Sequence, residues 1–242
     1  MSQNPYQATD YGYGAHVKPV TSASLDERSA FIRKTYVHLC GAIVAFAALE
    51  ALVLNVFWEQ LEAIVPKTGG MMWLVVLGLF MAVGYVADRW AHSATSRKTQ
   101  YMGLGLYVLA EVVIFIPLLY IAHRFDADII MSAGVVTAIV FGGLTATCFL
   151  TKFDFSFLRY ALMIGMFAAI GLIVASLFVG FSLGLWFSVA MVVLASGYIL
   201  YNTSNIIHHY HTGQYVAASL ALFASVALLF WYVVQIFMHA SD

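Results

Sequence analysis

Charge is what this sequence has least of. Its 242 residues hold 11 Lys and Arg against 12 Asp and Glu, a net charge of -1. There is no basic field to draw nucleic acid and no acidic excess. Charged residues make up 10% of the chain and apolar ones 62%, where an ordinary soluble domain has about 25% and about 45–50%. Cysteine is scarce too: Cys40 and Cys148 form no CxxC pair and lie in apolar runs, so they read as small hydrophobes rather than a disulfide framework or metal site. Enzyme motifs are missing, with no GxSxG elbow, no HExxH and no P-loop. No aspartate lies well inside an apolar run, which counts against an intramembrane aspartyl protease. Neither a catalytic residue nor a cofactor is called for.

What is present is apolar length. Mean hydropathy is +0.88 over the whole chain, more than one soluble core can hide, so these residues must face lipid. Apolar runs cover roughly 35–57, 71–87, 102–122, 129–150, 160–179, 185–201 and 215–238, and each approaches the ~20 residues that a membrane helix needs. Tyr160 to Tyr201 carries no charge, only the small-residue break at Gly180–Gly184. As one helix it would be about 63 Å long, twice the ~30 Å hydrocarbon core. Two spans joined by a tight hairpin fit instead. The fold class is therefore an all-α integral membrane protein with seven transmembrane helices.

Residues 1–30 differ from the rest. They have neither the basic start nor the apolar core of a signal peptide, and Asp10, Asp26 and Glu27 do not suit a mitochondrial presequence. They read as a short flexible tail, followed by the membrane domain over 31–242. Lys18, Arg28, Arg33, Lys34, Arg89, Arg97, Lys98, Lys152 and Arg159 fall on one side of a seven-span topology, and Lys67 and Arg124 on the other. Nine against two puts the N-terminus in the cytoplasm and the C-terminus outside.

Ionisable residues inside membrane spans are costly and point to function. Glu50 lies in the outer part of the first run and Glu111 near the middle of the third. Either belongs to a proton or cation path, or is a carboxyl kept neutral or paired within the bundle. His38 reads as a snorkelling or hydrogen-bonded residue. His208, His209 and His211 cluster between the sixth and seventh runs, where histidines sense pH or bind metal, although no Cys or carboxylate is near in sequence. Gly142-Gly143 and the Gly165/Ala169 pair read as close-packing faces. Trp58, Trp73, Trp90, Trp231 and Tyr232 read mostly as interfacial anchors.

Three stretches go beyond composition: Gly142-Gly143-Leu144-Thr145 with Thr151 through Leu158 (TKFDFSFL), Gly197 through His208 (GYILYNTSNIIH), and Tyr215 through Phe230. With seven spans, they resemble the Bax inhibitor family of membrane proteins over about residues 30–238. The resemblance implies six helices surrounding a central seventh, here 215–238. It also implies two activities. Some members act as a pH-sensitive calcium leak gated by an aspartate pair, which by motif falls on Asn202 and Ser225 here, with an arginine partner for which Asp88-Arg89 stands. Neither Asn nor Ser titrates in the working range, so this pair can hold helices together but cannot be a proton-operated latch. Passage of calcium or protons then rests on Glu50, Glu111 or the histidines. A bacterial YccA-like branch instead binds the membrane-anchored AAA protease FtsH through a cytoplasmic tail, the role that residues 1–30 would take. The Thr203–His208 run and Ser225 resemble this branch. The expected role is a modulator of such a protease in a bacterial inner membrane, with a cation leak as the alternative.

Overall fold

The first long helix begins at a capping box. Ser24 accepts a hydrogen bond from the Glu27 backbone N–H, and the Glu27 carboxylate accepts one from the Ser24 N–H, so two amide donors at the helix start are satisfied reciprocally. The structure, a computed structural model, describes residues 18–67, 70–93 and 96–240. It consists of α1 (Leu25–Val56), a short α2 (Trp58–Ile64), α3 (Gly70–Ala91), α4 (Arg97–Phe125), α5 (Asp128–Thr151), α6 (Leu158–Val179), α7 (Gly184–His208) and α8 (Tyr215–Ala240). All but α2 contribute a segment long and apolar enough to cross a membrane, seven such segments among the described residues. Their termini follow local chemistry. Ser96 caps α4 by accepting from the Thr99 N–H, while Lys152 and Gly180 end α5 and α6 in the left-handed conformation, at φ 53° and 80°. The break at Gly180 divides α6 from α7 where the length argument required a hairpin.

Three expectations change. Residues 1–17 of the expected tail lie outside the described residues, but 18–30 are not tail. Pro19 bridges to His211, the Val20 N–H donates to the Tyr210 carbonyl (2.9 Å), the Thr212 N–H donates to the Lys18 carbonyl (3.1 Å), and Val20 is buried. Helix α7 runs on through His208 instead of ending near Tyr201. Its polar run Asn202, Thr203, Ser204 and Asn205 is buried in the bundle, and two of these side chains, Asn202 and Ser204, reach tertiary partners given below. A polar stretch beyond an apolar run can therefore stay helical. Finally, α2 occupies a connection where no element was expected.

The helices alternate in direction, so one end of the bundle carries the N-terminal segment and the α3–α4, α5–α6 and α7–α8 connections. Helix α8 packs against α1, α3, α4, α5 and α7. Its small residues Ala217, Ala218 and Ser219 have no exposed surface, and Ser219 Oγ donates to the Thr35 carbonyl of α1 (2.9 Å). Close approach is what small residues permit in membrane bundles. The outward faces are apolar, with Trp186 83%, Leu150 82% and Phe178 71% exposed, which suits lipid rather than water.

Small residues do not all serve packing. A side chain at Gly142 or Gly143 would meet nothing within 4 Å, so that pair is not a packing face. Gly165 is: a Cβ there would sit 2.7 Å from Leu194 Cδ1 of α7.

Candidate functional site

A cavity of roughly 680 Å³ lies between α3 and α6. Helix α3 contributes Leu77, Phe80 and Asp88, α6 contributes Ile170 and Ile173, and the floor is formed by α4, α7 and α8. Helices α3 and α6 touch only marginally, whereas α3 packs extensively on α4 and α6 packs on α7. The walls are thus attached to the floor and splay apart above it.

Four of the residues singled out in sequence meet on this cavity: Asp88, Glu111, Asn202 and Ser225 all line it. Asn202 Nδ2 donates to Ser225 Oγ (2.8 Å) and to the Ala221 carbonyl (3.2 Å), while Ser225 Oγ donates to the same carbonyl (2.9 Å). The two positions therefore join α7 to α8 through neutral groups. Glu111 is 5% exposed, and Tyr107, one turn earlier on α4, lines the cavity beside it. Asp88 sits near the end of α3, where His92 Nδ1 lies 3.3 Å from its carboxylate and donates to its backbone carbonyl (2.9 Å). Burial works against the charged form of His92. Asp88 outweighs it and raises the imidazole above its ordinary value.

Other candidates lie elsewhere. Arg89 turns away from the cavity, its guanidinium 5.6 Å from the Tyr85 ring, so of the expected pair only Asp88 faces Asn202 and Ser225. Glu50 is buried on α1, away from the cavity, and neither carboxyl oxygen has a hydrogen-bond partner among the described residues. Trp231 and Tyr232, read as interfacial anchors, line the cavity, and Trp231 packs edge-on against Phe115 at 4.9 Å. Trp58 packs on Tyr120 (4.9 Å) and His123 (5.2 Å). The side chain of Trp73 lies outside the described residues.

The histidines do not converge. His208 ends α7, the backbone N–H of His211 donates to Gln214 Oε1, and no group of three metal-ligating side chains forms among the described residues. His209 has a partner that the sequence did not disclose: its Nε2 lies 3.1 Å from Asp154 Oδ2 in the α5–α6 loop. Ser204 Oγ donates to Asp154 Oδ1 (3.2 Å) and accepts from the Phe155 N–H (2.9 Å). The TKFDFSFL loop is thereby fastened to the end of α7. Partial burial opposes ionisation of Asp154, but the Ser156 N–H and the His209 ring prevail and hold the carboxyl below its usual value. The only sequence signal was that both segments belonged to the same resemblance.

His38 is hydrogen-bonded, one of its two expected states. Its Nδ1–H donates to the Lys34 carbonyl (2.7 Å), so in the neutral ring Nε2 accepts from Tyr101 Oη (3.1 Å). Tyr101 in turn meets Tyr215 Oη (3.1 Å), which accepts from Arg97 (2.6 Å). This chain ties α1 and α4 to the start of α8.

The geometry defines a class: a multi-pass helical membrane protein with a polar-floored cavity between two weakly joined helices. The family described as "Inhibitor of apoptosis-promoting Bax1" matches residues 28–242, and the chain belongs to it. It is 32% identical to an uncharacterized protein of Pseudomonas aeruginosa, over 90% of this chain and 94% of that one. It is 29% identical to the modulator of FtsH protease YccA of Escherichia coli, over 92% and 98%. To protein lifeguard 4 of mouse it is 26% identical, over 93% and 90%.

Proposed function

We propose that this protein is a non-catalytic partner of a membrane-anchored AAA protease of FtsH type and moderates turnover of membrane proteins. Its place is a bacterial inner membrane, N-terminus in the cytoplasm and C-terminus outside. The observation that carries the reading is the Asn202–Ser225 hydrogen bond. Two neutral groups stand where a proton-operated gate requires two carboxyls. Similarity over 98% of a relative named as an FtsH modulator supports the same reading, and the excess of Lys and Arg at one end of the bundle supports the orientation. Because 18–30 are docked on the bundle, the handle for the protease is residues 1–17.

The test is co-purification of the full-length protein with an FtsH-type protease, alongside the lifetime of a membrane substrate of that protease. Deleting residues 2–17 is expected to abolish co-purification and remove the effect on lifetime. Retention of both by the deleted protein would overturn the handle. Absence of both in the intact protein would overturn the function.

A second reading, a cation leak for calcium or protons, is favoured by one observation: the cavity carries two carboxyl residues, Asp88 and Glu111. It predicts calcium or proton flux from the unaltered protein in proteoliposomes between about pH 6 and pH 8, the range in which a coupled carboxyl pair or a histidine titrates.

A further inference from the structure

The cavity wall has a charge imbalance. Asp88 and Glu111 line it, and no Lys, Arg or His does among the described residues. Asp88 shares its carboxylate with His92 from outside the cavity. Glu111 has the uncharged Tyr107 beside it. Asn202 commits its Nδ2 to Ser225 and Ala221 and leaves Oδ1 without a donor among the described residues, at 9% exposure and on the cavity wall. The cavity therefore presents acceptors and two carboxyl groups, with no cationic side chain on its wall among the described residues.

Around these groups the lining is aromatic and aliphatic, including Phe80, Phe115 and Trp231. Ring faces attract cations, and more strongly where water is excluded. The volume is in the range of about 300–1,000 Å³ typical of small-molecule sites, which combine apolar walls with a few placed polar groups. There is also a way in from the side. Met81 of α3 and Leu177 of α6 line the cavity and are 51% and 39% exposed on the surface, and their helices scarcely touch.

We propose that this cavity is a binding site for a lipophilic organic cation, which enters from the bilayer between α3 and α6 and places its charge near Glu111. An anionic amphiphile such as a fatty acid or phosphate ester would bring its head against two carboxyl residues. A small hydrated ion would gain nothing from the apolar walls. A cation with an apolar body satisfies both parts of the lining.

The experiment compares two probes of nearly equal shape and opposite charge, tetraphenylphosphonium and tetraphenylborate. Equilibrium dialysis against the full-length protein in phosphatidylcholine nanodiscs gives binding, with empty nanodiscs subtracted. Tetraphenylphosphonium is expected to bind saturably, one per protein, and tetraphenylborate not to saturate. Glu111→Gln should weaken the phosphonium about tenfold or more, one charge contact in a low-dielectric site. Asp88→Asn should weaken it less, since His92 already occupies one side of that carboxylate. Ala224→Phe, which puts a ring into the cavity from α8, should abolish binding. If Glu111→Gln loses its cooperative melting transition, Ala224→Phe and the borate comparison decide. The proposal is overturned by the absence of saturable phosphonium binding, by equal borate binding, or by unchanged phosphonium binding in Ala224→Phe.

Discussion

Asn202 and Ser225 are 9% and 4% exposed on the cavity wall. Removing one partner strands the other, at a cost of about 0.6–2 kcal/mol for a hydrogen bond inside a membrane bundle. Asn202→Ala is therefore expected to lower stability by that amount in reversible detergent unfolding. Replacing both residues by aspartate has a different outcome. Two carboxyls 23 positions apart in sequence but joined here in space would share a proton. Asn202→Asp/Ser225→Asp is expected to leak calcium or protons in a pH-dependent way where the unaltered protein is silent. A leak from the unaltered protein would reverse the order of the two functional readings. At the edge of the same cavity, His92 titrates above its ordinary value because Asp88 prevails over burial. Its contribution to stability is complete below the unfolded value of about 6.5, and is lost as pH rises through the raised folded value. In Asp88→Asn the favourable charge is gone and burial remains, so the His92 resonance should titrate lower than in the parent by NMR of histidine-labelled protein.

Among the elements, α3 and α4 make the tightest junction. A Cβ on Gly103 of α4 would fall 2.5 Å from the Ala87 carbonyl oxygen and 2.6 Å from the Ala91 nitrogen, both backbone atoms of α3. A backbone cannot give way as a side-chain tip does. Gly103→Ala is expected to cost about 1–3 kcal/mol, the range for overpacking, while Gly105→Ala, with nothing within 4 Å, should be neutral or slightly stabilising in the same melting assay. The apolar stretches and the Gly180 break were legible in sequence because hydropathy and length alone determine them. The start of α1 was legible too, since Ser24 and Glu27 stand at capping-box spacing, although it was read as tail. The end of α7 was not. Asn202 through Asn205 are polar, and only Ser225 and Asp154, distant in sequence, make a helix through them affordable. The same is true of Asp154 and His209, which lie 55 positions apart.

At the scale of the molecule, the uneven distribution of Lys and Arg was legible because it depends on the parity of seven spans and on no contact. It predicts that a fluorescent protein fused before residue 1 matures, and that alkaline phosphatase fused after residue 242 is active. The opposite pattern would invert the bundle in the membrane. The cavity was not legible. Its lining comes from five helices, and it exists because α3 and α6 lean on different neighbours, a relation with no periodic signature. Sequence reasoning named Asp88, Asn202 and Ser225 from one resemblance and Glu111 for its place inside a span, and only the fold brings all four to one cavity.

The segment at Pro19–Val20 also decides where a pull is felt. The Val20 N–H donates to the Tyr210 carbonyl, the neighbouring Lys18 carbonyl accepts from the Thr212 N–H, and Arg28 Nη2 donates to the Ile207 carbonyl (3.3 Å) in the last turn of α7. Tension drawn through residues 1–17 thus arrives first at the corner between α7 and α8, and must part those bonds and withdraw Val20 before it reaches α1. A motor that gripped residues 1–17 would tug on the helix that carries Asn202 before it unwound any part of the bundle, so the joint would act as a mechanical fuse between the protein and whatever pulls it.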